Sequence, residues 1–285
     1  MRRIFRIFFF LFTLLANKHT AAQYSCSIKD LAFKTNELLE YKVVYNWGLV
    51  WLESGSSAFS VNSTIYNGKP AYFFKGQGGT FSKYDWFYKV NDVFEAIVDS
   101  VTFRPLKFTA SINEGSKHDK HTYFFDNTRQ RAYTIITRGT KRPQVDTLKT
   151  APCTIDVLSA IYFARSLDYS QCRINDTIGM SLLIDGKVYP IFVRYLGKEK
   201  MEIENLGKFN CVKFSPLLVE GSIFKKGEGM TVWVTDDANK LPVYIETPII
   251  VGTVKVTLSK YRGLRFPESA RIASEREPVK KGKKP

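Results

Sequence analysis

Residues 39–45 read Leu39-Glu40-Tyr41-Lys42-Val43-Val44-Tyr45, with Leu39, Tyr41, Val43 and Tyr45 on one face and Glu40, Lys42 and Val44 on the other. Alternation of this kind, in β-branched and aromatic residues, marks a strand with one buried face. The pattern recurs in Tyr189, Ile191, Val193 and Tyr195, and again in Val254, Val256 and Leu258. Similar runs stand at 57–62, 70–75, 93–98, 106–112, 121–125, 131–137, 177–184, 199–203, 209–214, 230–235 and 242–246. Turn residues separate many of them, among them Asn67-Gly68, Asn113-Glu114-Gly115, Arg138-Gly139, Asp185-Gly186 and Asp236-Asp237-Ala238-Asn239. More than ten short strands joined mostly by hairpins describe an antiparallel meander. A parallel α/β fold would need helical crossovers between strands, and they are missing.

One helix interrupts the meander. Pro152-Cys153-Thr154 offers a stop and an N-cap at Thr154, and good helix formers continue to Leu167. The spacing predicts a helix over 154–167 that is apolar almost all round, through Ile155, Leu158, Ile161, Tyr162 and Phe163. A helix with so little polar face is usually buried. The expected fold is therefore mainly β, an open half-barrel with this helix packed in its concave side. One domain would span 36–266, strand-rich over 36–149 and 175–262, after a lead-in at 23–35. A shorter helical turn is expected within 81–88.

The chain has 285 residues and four cysteines, and is 44% hydrophobic and 24% charged. That is ample for a core and excludes a disordered chain or a disulfide-built miniprotein. Its first 22 residues have the form of a signal peptide: Arg2, Arg3 and Arg6, an uncharged run from Ile7 to Ala16, then Thr20-Ala21-Ala22 before Gln23. The apolar run is about half the roughly 20 residues that span a bilayer. Export from the cytoplasm, without a transmembrane segment, is the expectation. Loss of residues 1–22 lowers the formal charge from +15 to +11. Residues 267–285 read as a disordered tail that ends Lys280-Lys281-Gly282-Lys283-Lys284-Pro285, a match for an anionic membrane surface rather than nucleic acid outside the cytoplasm.

Three stretches carry a resemblance: Asp156 to Arg165, Phe214-Ser-Pro-Leu-Leu-Val-Glu-Gly221 with Phe224-Lys225, and Trp233 to Glu246. They resemble an uncharacterised family of exported proteins of Bacteroidetes-type bacteria, catalogued as a domain of unknown function. That family is similar to the periplasmic lipoprotein carriers and their outer-membrane receptors, in which an unclosed half-barrel cups helices over an apolar cavity. The resemblance covers roughly 36–262. It implies the half-barrel, the periplasm of a Gram-negative bacterium with outer-membrane association as a variant, and no catalytic residue.

The residues themselves offer little chemistry. His118 and His121 fall between two strands, where a hairpin turn is expected, and no third ligand stands at metal spacing. No nucleophile elbow or phosphate loop occurs, and Asp236-Asp237 reads as a turn between strands. No cofactor, no metal and no enzymatic activity are expected; an unrecognised hydrolase is the residual enzyme reading. Arg165 is the one strongly polar group far along the helix. It either forms an ion pair, with Asp168 or a strand carboxylate, or stands at a cavity mouth to hold a ligand head group. The second reading makes Arg165, Tyr162 and Ile161 ligand-binding residues. Of the cysteines, Cys153 with Cys211 is the preferred bridge, and free buried thiols are the alternative. Asp99-Ser100-Val101, Asp146-Thr147-Leu148 and Asp176-Thr177-Ile178 resemble bacterial O-glycan acceptors at Ser100, Thr147 and Thr177. The expected function is non-enzymatic binding of an amphiphile, a lipid or lipoprotein-like ligand, in the half-barrel cavity. The alternative is an adaptor that docks an envelope protein through an exposed sheet edge or basic face.

Overall fold

The structure, a computed structural model, describes residue 28 and residues 30–47, 49–86, 88–219, 227–249 and 252–273. The expected signal peptide at 1–22 and residues 274–285 of the expected tail lie outside the described residues. Eight strands follow one another as hairpins: β1 (Leu38–Trp47), β2 (Val50–Tyr66), β3 (Lys69–Thr80), β4 (Asn91–Asp99), β5 (Pro105–Glu114), β6 (Lys117–Asp126), β7 (Arg131–Arg138) and β8 (Gln144–Lys149). A short strand β9 (Thr154–Asp156) leads into helix α1 (Val157–Arg165). Then come β10 (Thr177–Ile184), β11 (Lys187–Ile203), β12 (Gly207–Pro216), β13 (Thr231–Thr235), β14 (Pro242–Pro248), β15 (Thr253–Arg262) and β16 (Arg271–Ile272).

These strands make one sheet, in the order 8-7-6-5-4-3-2-1-15-14-13-12-11-10-9, with β16 beside β12. Every ladder is antiparallel except that of β9 with β10. The first strand, β1, is at the centre, with β2 on one side and β15 on the other. The two outermost strands, β8 and β9, are consecutive in the chain and are joined by Thr150 to Cys153. Laid flat, fifteen strands would hold their edges roughly 65 Å apart at about 4.8 Å per strand. The link reaches at most about 18 Å. The sheet must therefore roll up, yet it stays open, because β8 and β9 do not pair with each other.

Side chains fill the space the roll encloses. Helix α1 packs against β3, β4, β9 and β10, with Leu158, Tyr162 and Phe163 buried. The Tyr162 ring stacks on Phe74 at 4.1 Å and meets the edge of Phe33 at 5.1 Å. Phe33 also packs on Tyr72 and Phe103. Because Phe33 and Ala32 are wholly buried, the domain begins earlier than the expected boundary at 36. A second cluster of Leu39, Tyr41, Ile203, Phe209, Leu241, Val243 and Leu258 fills the remainder. Across the opening, the β10–β11 turn seats on the opposite wall. The Gly186 N–H donates to the Tyr123 hydroxyl at 3.3 Å, and a Cβ at Gly186 would lie 2.8 Å from Ile136. At φ +71° a side chain here would be strained, and the Ile136 methyl would have to give way.

Helix α1 is shorter than the predicted 154–167. Thr154, Ile155 and Asp156 instead pair with Ser181, Leu182 and Leu183. β-Branched residues beside an open sheet edge find ladder partners there, and the Thr154 and Ser181 hydroxyls bond at 2.8 Å. The N-cap is thus Asp156, not Thr154: one carboxylate oxygen accepts the Ser159 N–H at 2.8 Å and the other the Ser159 hydroxyl at 2.6 Å. Burial pushes the Asp156 carboxyl up to about 6, against those two bonds.

The other end of α1 is held by charge. The Arg165 guanidinium grips Glu37 through two parallel bonds of 2.6 and 3.0 Å, with both side chains buried. It also donates to the Asn239 carbonyl at 3.0 Å. One side chain so joins the helix, the start of β1 and the β13–β14 turn. Burial alone would lower the Arg165 pKa, but Glu37 overrides it and the net shift is upward.

The expected tail is ordered at its start. Residues 271 and 272 pair with Phe209 and Lys208, Ala270 is buried, and its carbonyl accepts the Asn210 N–H at 2.8 Å. Asp237 accepts the N–H groups of Ser269 and Ala270, so the turn before β14 fastens this segment. The disorder expected from 267 is therefore corrected for residues 267–273.

Two outcomes follow for stability. Arg165→Leu leaves Glu37 buried without its partner and should cost about 3–5 kcal/mol, read by chemical denaturation; an unchanged midpoint would mean that the pair is dispensable. Truncation after Pro267 removes the Asp237, Asn210 and β16 bonds and should cost about 2–4 kcal/mol at about 1 kcal/mol per bond, seen as a lower Tm.

Candidate functional site

The three helix residues expected to hold a ligand do not form a site. Arg165 has its donor fork occupied by Glu37, which corrects the cavity-mouth reading in favour of the ion pair, though with a partner 128 residues away in sequence. Tyr162 is buried in the aromatic cluster, with Arg165 5.5 Å above its ring. Ile161 points elsewhere and is 36% exposed, so it is neither a core residue nor a neighbour of the other two in a pocket. The interior holds rings where a ligand chain would need space.

The other candidates also separate. His118 and His121 lie within β6 rather than in a turn, because Gly115-Ser116 alone closes the β5–β6 hairpin. His121 is buried, its Nδ1 3.2 Å from the Tyr123 hydroxyl and 3.7 Å from Asp185. Burial lowers its pKa, against the pull of Asp185. Cys211 and Cys172 are free thiols, whereas Cys153 is disulfide-bonded to neither. The expected Cys153–Cys211 bridge is therefore not formed. Cys211 lies in the second core cluster, away from the β8–β9 link that holds Cys153. Of the acceptor-like residues, Thr147 is exposed on β8, while Ser100 and Thr177 are half-buried and Ser100 donates to the Pro70 carbonyl at 3.0 Å. Among the described residues no three metal-ligating side chains gather.

Two hollows mark the surface. A trough of about 460 Å³ crosses β1 to β4 and β15, lined by Glu40, Lys42, Ser56, Gln77, Asn91 and Lys260. A smaller one of about 270 Å³ lies between the end of α1 and the β13–β14 turn, near Tyr169, Tyr195, Lys198 and Lys240. Lys198 is held there by Asp236 at 2.7 Å.

The feature with most to contact lies at one end of the rolled sheet. The β1–β2, β3–β4 and β14–β15 connections share that end, since their strands are neighbours or alternate in the ladder. Strand β2 pairs with β3 only from Gly55 onward, so residues 50–54 extend with β1 beyond the β3 wall. At about 3.3 Å per residue the hairpin projects roughly 16 Å. Its tip exposes Leu49 fully, Val50 at 61%, Trp51 at 49% and Leu52 at 36%. The β14–β15 tip lies alongside, where Asn46 pairs with Thr253, and Lys255 sits 3.9 Å above the Trp51 ring. The β3–β4 loop starts against this hairpin, with the Phe81 N–H donating to Ser54 at 2.9 Å. It leaves Trp86 at 83% and Tyr88 at 46% exposed. Four consecutive apolar residues, 49–52, break the period of two that a strand with one wet face requires. That break is the mark the exposed tip leaves in the sequence.

The family described as "Protein of unknown function (DUF3108)" matches residues 40–259, and the chain belongs to it. No curated protein matches the sequence. The crystal structure of a "beta-barrel-like protein" of domain of unknown function DUF1849 from Brucella abortus is similar at a TM-score of 0.52, covering 82% of this chain and 99% of that one. At 8% identity the likeness is one of fold.

Proposed function

We propose that this member of the DUF3108 family is a non-enzymatic protein of the bacterial cell envelope that binds an amphiphile, and that it binds at its projecting hairpin end. The observation that carries the reading is the exposed run Leu49-Val50-Trp51-Leu52. Moving a Leu or Val side chain from water into an apolar phase is worth about 1.5–3 kcal/mol, so a free tip of this kind is a standing driving force for association. The proposal departs from the cavity expected of the sequence. Phe33, Phe74 and Tyr162 pack ring on ring beside the helix, which supports a contact at the surface rather than inside.

Export to the periplasm, a Gram-negative and Bacteroidetes-type origin, kinship with the lipoprotein carriers and contact between the basic tail and anionic membranes belong to the same proposal. It is compatible with the described residues, where no helix is long and apolar enough to cross a membrane. The non-enzymatic reading carries over from the sequence analysis. A second reading, an adaptor for an envelope protein, has its own support in β8. That strand is a free edge of the sheet with Val145 67% exposed, and a partner's extended segment could add to it.

The test uses Leu49→Ser, which changes a fully exposed side chain and leaves the fold alone. Binding to detergent micelles and lipid vesicles should fall about 10- to 100-fold, the loss of one buried leucine. Equal binding by parent and variant would remove the hairpin from the function. Pull-down partners lost on Thr147→Pro, which blocks β8, would favour the adaptor.

A further inference from the structure

We infer that the occupant of the hairpin end is the interfacial layer of a phospholipid bilayer, entered to a shallow depth with lysines placed at the lipid phosphates. This rests on the amphiphile reading above and narrows it. The first argument is shape. The end is a projecting blade made of the β1–β2 and β14–β15 tips, not a concave groove that would close around a single chain.

Depth follows from the backbone. Beyond Gly55, β2 has β1 on one side and no ladder with β3 on the other. Ser54 gives its carbonyl to Phe81, but among the described residues the outward edge of 50–53 has no strand beside it. Bare backbone groups cannot enter hydrocarbon without their hydrogen bonds, whereas headgroups and their water can supply them. The tip can therefore sink by the 5–10 Å typical of interfacial elements and no further.

Composition points to the same layer. Trp51, Trp86 and Tyr88 are amphipathic rings of the type that settles at the headgroup level. Lys255 lies over Trp51, and Lys83 lies over Tyr84 at 4.9 Å and near Phe81 at 5.8 Å. A ring that enters the interface carries its stacked ammonium to the phosphate plane, while the lysine stem covers the ring. The charge fits as well: Lys83 is exposed, and the chain remains basic at +11 without residues 1–22. Of the carboxylates nearby, Asp85 pairs with Lys89 at 3.4 Å and Glu246 with Lys255 at 3.9 Å, and Glu53 is exposed on the hairpin itself.

The full chain would be mixed with vesicles of phosphatidylcholine, with vesicles that also contain phosphatidylglycerol, and with alkyl maltoside micelles that carry no phosphate. Sedimentation gives affinity, and quenching of tryptophan emission by lipids brominated near the headgroup or near the chain end gives depth. Binding to both vesicle types, quenching by the shallow label and a weaker response to the deep one are expected. Lys83→Glu should weaken binding to the phosphatidylglycerol vesicles by about tenfold or more, since each lysine at such a surface contributes a factor of about five. The tail is common to both proteins, so the difference reports the hairpin end. Binding to micelles with no binding to vesicles would overturn the bilayer inference and leave the amphiphile reading standing. Strong quenching at the chain end, or a Lys83→Glu protein that binds as the parent does, would overturn it too. Failure to bind either vesicles or micelles would bring down the function itself.

Discussion

Four residues, Thr150 to Cys153, carry the chain from one edge of a fifteen-strand path to the other, and that short tether dictates the architecture. A sheet that wide cannot stay flat with its edges so joined. It rolls, and rolling makes an inside. The helix that leaves β9 enters that inside directly, with its N-cap Asp156 already buried. The parallel pairing of β9 with β10 is a product of the same geometry, because a strand that enters from the far edge need not follow the hairpin rule of its neighbours.

The inside is solid, and this moves the functional question outward. A half-barrel suggests a cup, but α1, the lead-in and two sets of strand side chains occupy it. The Arg165–Glu37 pair shows how completely the interior is committed. A guanidinium that could have held a ligand carboxylate holds the protein's own, and spends its spare donor on a turn carbonyl. Inside, Arg165 Nε, the Tyr162 hydroxyl and His121 Nε2 have no hydrogen-bond partner among the described residues, while the exposed apolar groups gather at the projecting hairpins. Similarity of fold to a barrel-like domain of unknown function fits this view without adding an activity to it.

The strands were legible because their signal is local. Each alternates within a few residues, and Asn67-Gly68 or Asp185-Gly186 marks where it turns. The helix was legible for its existence but not for its start, since Thr154 and Ile155 suit a first turn and a strand alike, and a sheet edge from residues 181–183 decided between them. The partner of Arg165 could not be read. Glu37 is one of many carboxylates, and only the closed fold brings it within 2.6 Å. His121 looked like a turn residue because nothing local shows that Gly115-Ser116 suffices to close the hairpin. The segment after 267 looked disordered because it has little to bury, yet Asp237 and β12 hold it through its backbone, and backbone bonding leaves no trace in composition. The hairpin tip shows in the sequence only as four apolar residues, 49–52, that interrupt the alternation.

The position of β1 has a consequence for how such a molecule comes into being. Its central ladder joins the first strand to one of the last, and Ser259 bonds to Glu40 across 219 residues. A chain delivered N-terminus first can zip β1 through β8 from hairpin to hairpin, since each contact is close in sequence. The open side of β1 must then wait until more than a hundred further residues have arrived. Contacts so remote are slow to form, and an unsatisfied strand edge is a template for the wrong neighbour. The sheet is thus completed at its middle, late in synthesis, and its most exposed moment comes before the last long strand is made.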